Sequence, residues 1–251
     1  MEARQAQRIS LFPRYQQLIA DYDPNECAVW CRMKPAPRPC FTPTLLREAR
    51  DVQKRVVEIV HDAERFGKTP IHYVISASAI PGIFSLGGDL AKFKELILTR
   101  NRKGLHEYAY ACIELLYQNA VNLQSPVTTI SLVQGDALGG GFEGALSASV
   151  LVAERSAKMG FPEVLFNLLP GMGAYSFLGR RVDLATTERI ITSGKSYTGE
   201  ELYEMGIVDK LADDGQGVQE VHNYIHQHRH KRNSSRLLQQ MRHRFHALDY
   251  E

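Results

Sequence analysis

The spacing of apolar residues changes period several times along the chain. CAVWCRM (27–33), IHYVISA (71–77), VTTISLV (127–133) and ASVLVAE (148–154) are short, apolar and rich in β-branched residues, which predicts buried strands. IVDKLAD (207–213) predicts a short closing strand. Between the strands the period lengthens to that of a helix. Leu45, Ala49, Val52, Val56 and Ile59 or Val60 recur at helical spacing. Thr42 stands at the N-cap of that helix, and Pro43 at its first turn. DLAKFKELILT, LHEYAYACIELLYQNAVNL, AYSFLGRR, DLATTERIITSG and TGEELYEMG also read as helices. In the last, Thr198 and Glu201 have capping-box spacing. KPAPRPCFTP and SAIPGIFSLGG read as irregular connections. Strands that alternate with helices predict an α/β fold with largely parallel pairing, and such sheets hold ligands at the carboxyl ends of their strands.

Composition narrows the function classes. At 44% hydrophobic and 23% charged, the 251 residues are those of an ordinary globular protein. A net charge of +2 does not make the whole molecule a polyanion binder. The charge is uneven, however: residues 222–251 carry six Lys/Arg against two acids, and six of the nine histidines. This basic segment reads as a solvated helical face or as a docking patch for an acidic partner. Nucleic acid fits less well, because the basic run 226–246 offers a single aromatic, Phe245, for base stacking. MEARQAQRISLF lacks the apolar core of a secretory leader, and no apolar run reaches the ~18 residues of a membrane span. Cys27 and Cys31 are close enough for a metal pair, but no second Cys or His pair follows at matching spacing, so these two, Cys40 and Cys112 are expected as reduced thiols in a cytoplasmic protein.

Two glycine-rich turns carry the candidate chemistry. SLGGDL (85–90) and GDALGGGFE (135–143) each follow a strand and open a helix. Neither fits GxGxxG or a phosphate-binding loop. Glycine lets a backbone N–H approach a ligand closely, and the first N–H groups of a helix lack internal partners. Either turn alone reads as a tight turn; side by side they can aim two donors at one developing oxyanion. Glu143, among apolar neighbours, reads as a charge at a helix start, and Glu163 in GFPEVLF as one half of a salt bridge. Converging on one oxyanion site, the two become a general acid and base, with burial raising at least one pKa.

These segments resemble the crotonase, or enoyl-CoA hydratase, superfamily. FSLGGDL is similar to its first oxyanion turn, QGDALGGGFEGALSASVLVAE to its second, and FPEVLFNLLPGMG to its second catalytic segment. The resemblance runs over residues 27–213, leaving 1–26 as an N-terminal extension and 214–251 as a basic helical C-terminal segment. It implies a spiral of ββα units with two sheets. It assigns the oxyanion N–H groups to Gly88 and Gly140, and catalysis to Glu143 and Glu163. It places Leu86, Gly87, Leu138, Gly171, Met172 and Tyr175 along the substrate pocket. It implies no metal or cofactor, and assembly into trimers or hexamers.

LFPRYQQLIADYDP, APRPCFTPTLL, SLGGDLAKF and PEVLFNLLPGMGAYSF further resemble the diffusible-signal-factor synthases of bacterial quorum sensing. That resemblance implies dehydration of a 3-hydroxyacyl thioester, on acyl carrier protein or CoA, to the cis-2-enoyl thioester. Hydrolysis to a free cis-2-unsaturated fatty acid then follows. A sensor-kinase receiver domain is the regulatory partner it suggests. The alternatives are a plain enoyl-CoA hydratase using the same residues, or a non-catalytic partner of a regulatory protein. The superfamily usually continues in further C-terminal helices, so oligomeric state and acyl-length preference stay open.

Overall fold

The computed structural model describes residues 11–65 and 70–231, with Ser234, Leu237, Leu238 and Met241 beyond them. Among the described residues the chain forms ten strands and eight α-helices. In order these are β1 (Leu18–Asp23), β2 (Ala28–Met33), α1 (Pro43–Arg65), β3 (Tyr73–Ser78), β4 (Ile83–Ser85), α2 (Leu90–Leu98), α3 (Arg102–Ala120), β5 (Thr128–Val133) and β6 (Asp136–Leu138). Then come α4 (Gly140–Leu146), β7 (Val150–Glu154), β8 (Lys158–Gly160), α5 (Ala174–Leu178), α6 (Leu184–Ser193), β9 (Ser196–Thr198), α7 (Gly199–Glu204), β10 (Lys210–Ala212) and α8 (Gly217–His228).

The main sheet has the order β1-β2-β3-β5-β7-β10, and the second has β4-β6-β8-β9. Only the pairs β1–β2 and β8–β9 are antiparallel. The chain lays β3, β5 and β7 in the main sheet, and each is followed at once by β4, β6 or β8 in the second. Each circuit therefore adds one strand to each sheet. This is the crotonase spiral of ββα units.

The main sheet is covered on both faces, which is why its central strands read as unbroken apolar runs. Every residue of β5 and β7 is buried. Alternate side chains go to opposite layers. Trp30, Ile75, Ile130 and Val152 pack with Val221, Tyr224 and Ile225 of α8. Val29, Val74 and Leu151 join Val52, Val56, Leu115 and Leu116 of α1 and α3.

Local signals set the helix starts. Thr42 Oγ1 accepts from Leu45 N–H at 3.1 Å. Asp89 caps α2 through Lys92 N–H at 3.1 Å, and Thr198 with Glu201 closes a full capping box on α7.

Two expectations are corrected. Residues 18–23, inside the expected N-terminal extension, are the edge strand β1, paired residue for residue with β2 from Leu18–Met33 to Asp23–Ala28. SAIPGIFSLGG is not wholly irregular, because Ile83–Ser85 forms β4. A three-residue strand is too short to show a period. In the basic C-terminal segment α8 buries Val221, Tyr224 and Ile225; apart from the four positions named above, 232–251 lie outside the described residues. No helix among the described residues is long and apolar enough to cross a membrane.

The close contact between α4 and β4 is made by glycine. A Cβ on Gly141 would run into the Ser85 carbonyl, whereas one on Gly171 would meet nothing within 4 Å. Backbone cannot yield as a flexible side chain does. Gly141→Ala is therefore expected to cost about 2–3 kcal/mol or prevent folding, with Gly171→Ala within about 0.5 kcal/mol of the parent. Chemical denaturation of both variants checks this; equal stabilities would contradict the packing.

Candidate active site

Three segments end strands of the second sheet. Leu86-Gly87-Gly88 follows β4, Gly139-Gly140 follows β6, and Phe161-Pro162-Glu163 follows β8. The three strands are adjacent and parallel, so their carboxyl ends lie side by side and the segments meet. The two glycine turns touch through backbone. A Cβ at Gly87 would stand 2.8 Å from Gly140 N and 2.9 Å from the Leu138 carbonyl. Gly87 has φ +85° and Gly139 φ +54°, backbone conformations that side-chain-bearing residues rarely adopt.

The direction of the two N–H groups is fixed from behind. The Gly87–Gly88 peptide accepts Phe41 N–H on its carbonyl at 2.7 Å. The N–H of that same peptide, on Gly88, points the opposite way. The Gly139–Gly140 peptide accepts Phe142 N–H at 2.9 Å and Glu143 N–H at 3.0 Å on its carbonyl, leaving Gly140 N–H on the other side. Among the described residues neither Gly88 N–H nor Gly140 N–H has a protein acceptor. A carbonyl that accepts a hydrogen bond strengthens the donor at the other end of its peptide. Two polarised, unengaged donors therefore lie on adjoining turns.

Glu143 is in the first turn of α4 and is 1% exposed. Its Oε1 accepts Met172 N–H at 2.7 Å and Ala174 N–H at 2.9 Å. Burial, opposed by those N–H groups and reinforced by the Glu163 carboxylate, pushes its pKa up to about 7. Glu163 lies in a 3-10 turn, Pro162–Phe166, and burial raises its pKa as well. Its carboxylate lies directly against Gly139, where any Cβ would collide with it. Its Oε2 is buried with no hydrogen-bond partner, in contrast to the salt bridge considered for it. A buried polar atom without a partner is costly, and such atoms cluster where a ligand or a reaction supplies the partner.

The remaining expected positions divide. Gly87, Leu138 and Met172 are at the turns; a Cβ on Gly140 would come within 2.7 Å of Met172 Sδ, so that thioether roofs the second turn. Met172 also contributes through its N–H to Glu143, which sequence did not show. Leu86 and Tyr175 are 42% and 51% exposed, and Tyr175 OH donates to Glu188 Oε1 at 3.2 Å. Gly171 is exposed on the loop before α5. Leu165, Phe166, Leu168 and Leu169, just after Glu163, are 60–72% exposed. The four cysteines are free thiols, with Cys31, Cys40 and Cys112 buried. Tyr108 of α3 is buried, and its hydroxyl accepts Asp89 N–H and donates to the Phe41 carbonyl, each at 2.7 Å. A tyrosine among core positions is itself a signal, since a buried hydroxyl needs a partner.

The raised pKa of Glu143 has a stability consequence. Its native value, about 7, exceeds the 4.5 of an ordinary glutamate, so the native state holds the proton more tightly. The stabilising contribution is complete below pH ~4.5 and is lost as pH rises through ~7, amounting to about 3 kcal/mol. Glu143→Gln keeps an oxygen for the two N–H donors and carries no titrating group. The stability of the variant relative to the parent should therefore rise steadily between pH ~4.5 and ~7. Denaturation at several pH values checks this; a difference independent of pH would contradict the assignment.

Residues 53–248 match the family model described as enoyl-CoA hydratase/isomerase. The mitochondrial methylglutaconyl-CoA hydratase of Rattus norvegicus is 31% identical over 150 residues, covering 58% of this chain and 44% of that one. The enoyl-CoA isomerase/hydratase claC of Penicillium crustosum is 30% identical over 171 residues, covering 67% of this chain and 18% of that one. The chain thus spans less than half the length of these curated relatives. Among solved structures, an enoyl-CoA hydratase from Bacillus anthracis superposes with a TM-score of 0.74 at 22% identity, covering 90% of this chain and 81% of that one. DspI of Pseudomonas aeruginosa superposes with a TM-score of 0.73 at 22% identity, covering 92% and 87%. These two likenesses show the shared fold. Because the family model matches well over half of this chain, the chain belongs to the enoyl-CoA hydratase/isomerase family.

Proposed function

We propose that this site dehydrates a 3-hydroxyacyl thioester to the 2-enoyl thioester and then hydrolyses the product to a free cis-2-unsaturated fatty acid. One observation carries the reading: two unengaged glycine N–H groups adjoin two glutamates with raised pKa values, Glu143 buried and Glu163 half-buried. The thioester carbonyl sits against Gly88 and Gly140 N–H, which take up the negative charge as the enolate forms. One glutamate, ionised, takes the C2 proton. The other, protonated, gives its proton to the departing C3 hydroxyl, which leaves as water. Two neighbouring carboxyls whose pKa values are both raised are suited to share one proton. For the second step one carboxylate takes a proton from a water that attacks the same polarised carbonyl; the C–S bond breaks and the thiolate leaves with a proton. The unpartnered Glu163 Oε2 is the free acceptor for that water.

Support for hydrolysis comes from the resemblance of the Leu86 turn and the 171–175 loop to the signal synthases. The names of the curated relatives favour a second reading, a CoA-thioester hydratase that stops at the enoyl thioester. Either acyl carrier protein or CoA fits as carrier. The exposed apolar run 165–169 supports self-association into the expected trimers or hexamers.

Glu143→Gln and Glu163→Gln, each confirmed folded by circular dichroism, should each lower dehydration by about 10²–10⁴-fold. Near-normal turnover in either removes that residue from acid–base chemistry. Supplied with a 3-hydroxyacyl carrier protein, the parent enzyme should release free thiol and cis-2-enoic acid together, as followed by mass spectrometry. A carrier that stays acylated through many dehydration cycles would leave only the hydratase.

A further inference from the structure

The first oxyanion turn is held by a group outside it. Gly88 lies between two peptides, and each has a fixed partner. On one side Phe41 N–H donates to the Gly87 carbonyl at 2.7 Å. On the other, Asp89 N–H donates to the hydroxyl of Tyr108 at 2.7 Å, and that hydroxyl donates to the Phe41 carbonyl at 2.7 Å. Both flanks of Gly88 are thus tied to one residue, Phe41, the Gly87 side directly and the Asp89 side through the Tyr108 hydroxyl; Phe41 also forms an isolated parallel bridge with Gly88.

Tyr108 has little freedom. It projects from α3 and is 6% exposed. Phe93 packs edge-on against its ring, with centroids 5.1 Å apart at 88°. A Cβ on Gly88 would stand 3.2 Å from Phe93 Cε2 and 3.8 Å from the Tyr108 oxygen, so the pair lies directly beneath the donor residue. Burial raises the phenol's pKa, which keeps it protonated and able to donate to Phe41 while it accepts from Asp89. The second turn needs no such outside clamp, because the first N–H groups of α4 hold the Gly139 carbonyl.

We propose that Tyr108 is the positioning residue of the first oxyanion donor: its hydroxyl bridges Phe41 and Asp89 and thereby sets the direction of Gly88 N–H. This rests on the oxyanion reading of Gly88 and Gly140 given above. Tyr108 touches no reacting atom, so its removal should leave substrate affinity and the glutamates alone. The effect should fall on stabilisation of the charged carbonyl. Loss of one donor outright lowers kcat by about 10²–10³-fold in comparable sites, so a donor left present but misaligned should lower it by about tenfold.

The test is Tyr108→Phe, with Leu116→Ala as a packing control on a buried residue of the same helix. Rates are taken per folded enzyme, where circular dichroism shows each variant native. Difference Raman spectroscopy reports the carbonyl stretch of a bound 2-enoyl thioester. Tyr108→Phe should lower kcat about tenfold with KM within about twofold, and move the carbonyl stretch back toward its value in solution. Leu116→Ala should lower the melting temperature with the parent's carbonyl stretch and kcat. If Tyr108→Phe is not native, 3-fluorotyrosine at position 108 replaces it; fluorine weakens the hydroxyl as an acceptor, and a smaller shift of the same sign is expected. A polarised carbonyl in the parent, equally polarised in Tyr108→Phe or the fluorotyrosine enzyme, would overturn the role of Tyr108 alone. A carbonyl not polarised in the parent would instead overturn the oxyanion reading beneath it.

Discussion

Backbone must touch backbone where the second sheet ends, and most of the site follows from that. Gly141 lies against the Ser85 carbonyl, and Gly87 against Gly140 N and the Leu138 carbonyl, closer than any side chain permits. The spiral brings the ends of β4, β6 and β8 into register, but only glycine lets the following turns close the gap. Once closed, the contact fixes several things together. Gly88 and Gly140 become neighbours, α4 starts at that point, and Glu143 in its first turn is carried inside. The same left-handed Gly139 makes room for the Glu163 carboxylate coming from β8. A steric constraint thus becomes an electrostatic arrangement.

Glu143 is buried and Glu163 half-buried with one carboxylate oxygen enclosed, at a cost that the fold only partly offsets. Glu143 receives two N–H groups on one oxygen, and burial still holds its pKa near 7. Glu163 is left with an oxygen that no described group satisfies. A structural carboxylate would be expected to find a full set of partners or to sit at the surface. Adjacent carboxyls with raised pKa values, beside donors that face no protein acceptor, are what the proposed proton transfers on a carbonyl compound require.

Much of this was legible in sequence, because the constraint acts on residue type. Gly87-Gly88 and Gly139-Gly140-Gly141 stand out as glycine clusters after apolar runs, and Glu143 and Glu163 as acids in apolar surroundings. Long elements with a clear period, such as α1, α3, β5 and β7, were visible for the same reason. The elements of the second sheet were not: β4, β6, β8 and β9 are three residues each, too short for any period. β1 alternates weakly because, at a sheet edge, most of its side chains are only half-buried. Partnerships across the chain were also hidden. Tyr108 bonds to Phe41, 67 residues away, and Glu143 to Met172, 29 away. No local pattern records which hydroxyl or N–H a distant turn will need.

The most direct test of the account is a crystal structure with an unreactive 3-hydroxyacyl thioester analogue bound. The account places its carbonyl oxygen about 2.7–3.1 Å from both Gly88 N and Gly140 N, with C2 and C3 flanked by the carboxylates of Glu143 and Glu163. A carbonyl bound elsewhere, or both carboxylates remote from C2 and C3, would contradict it.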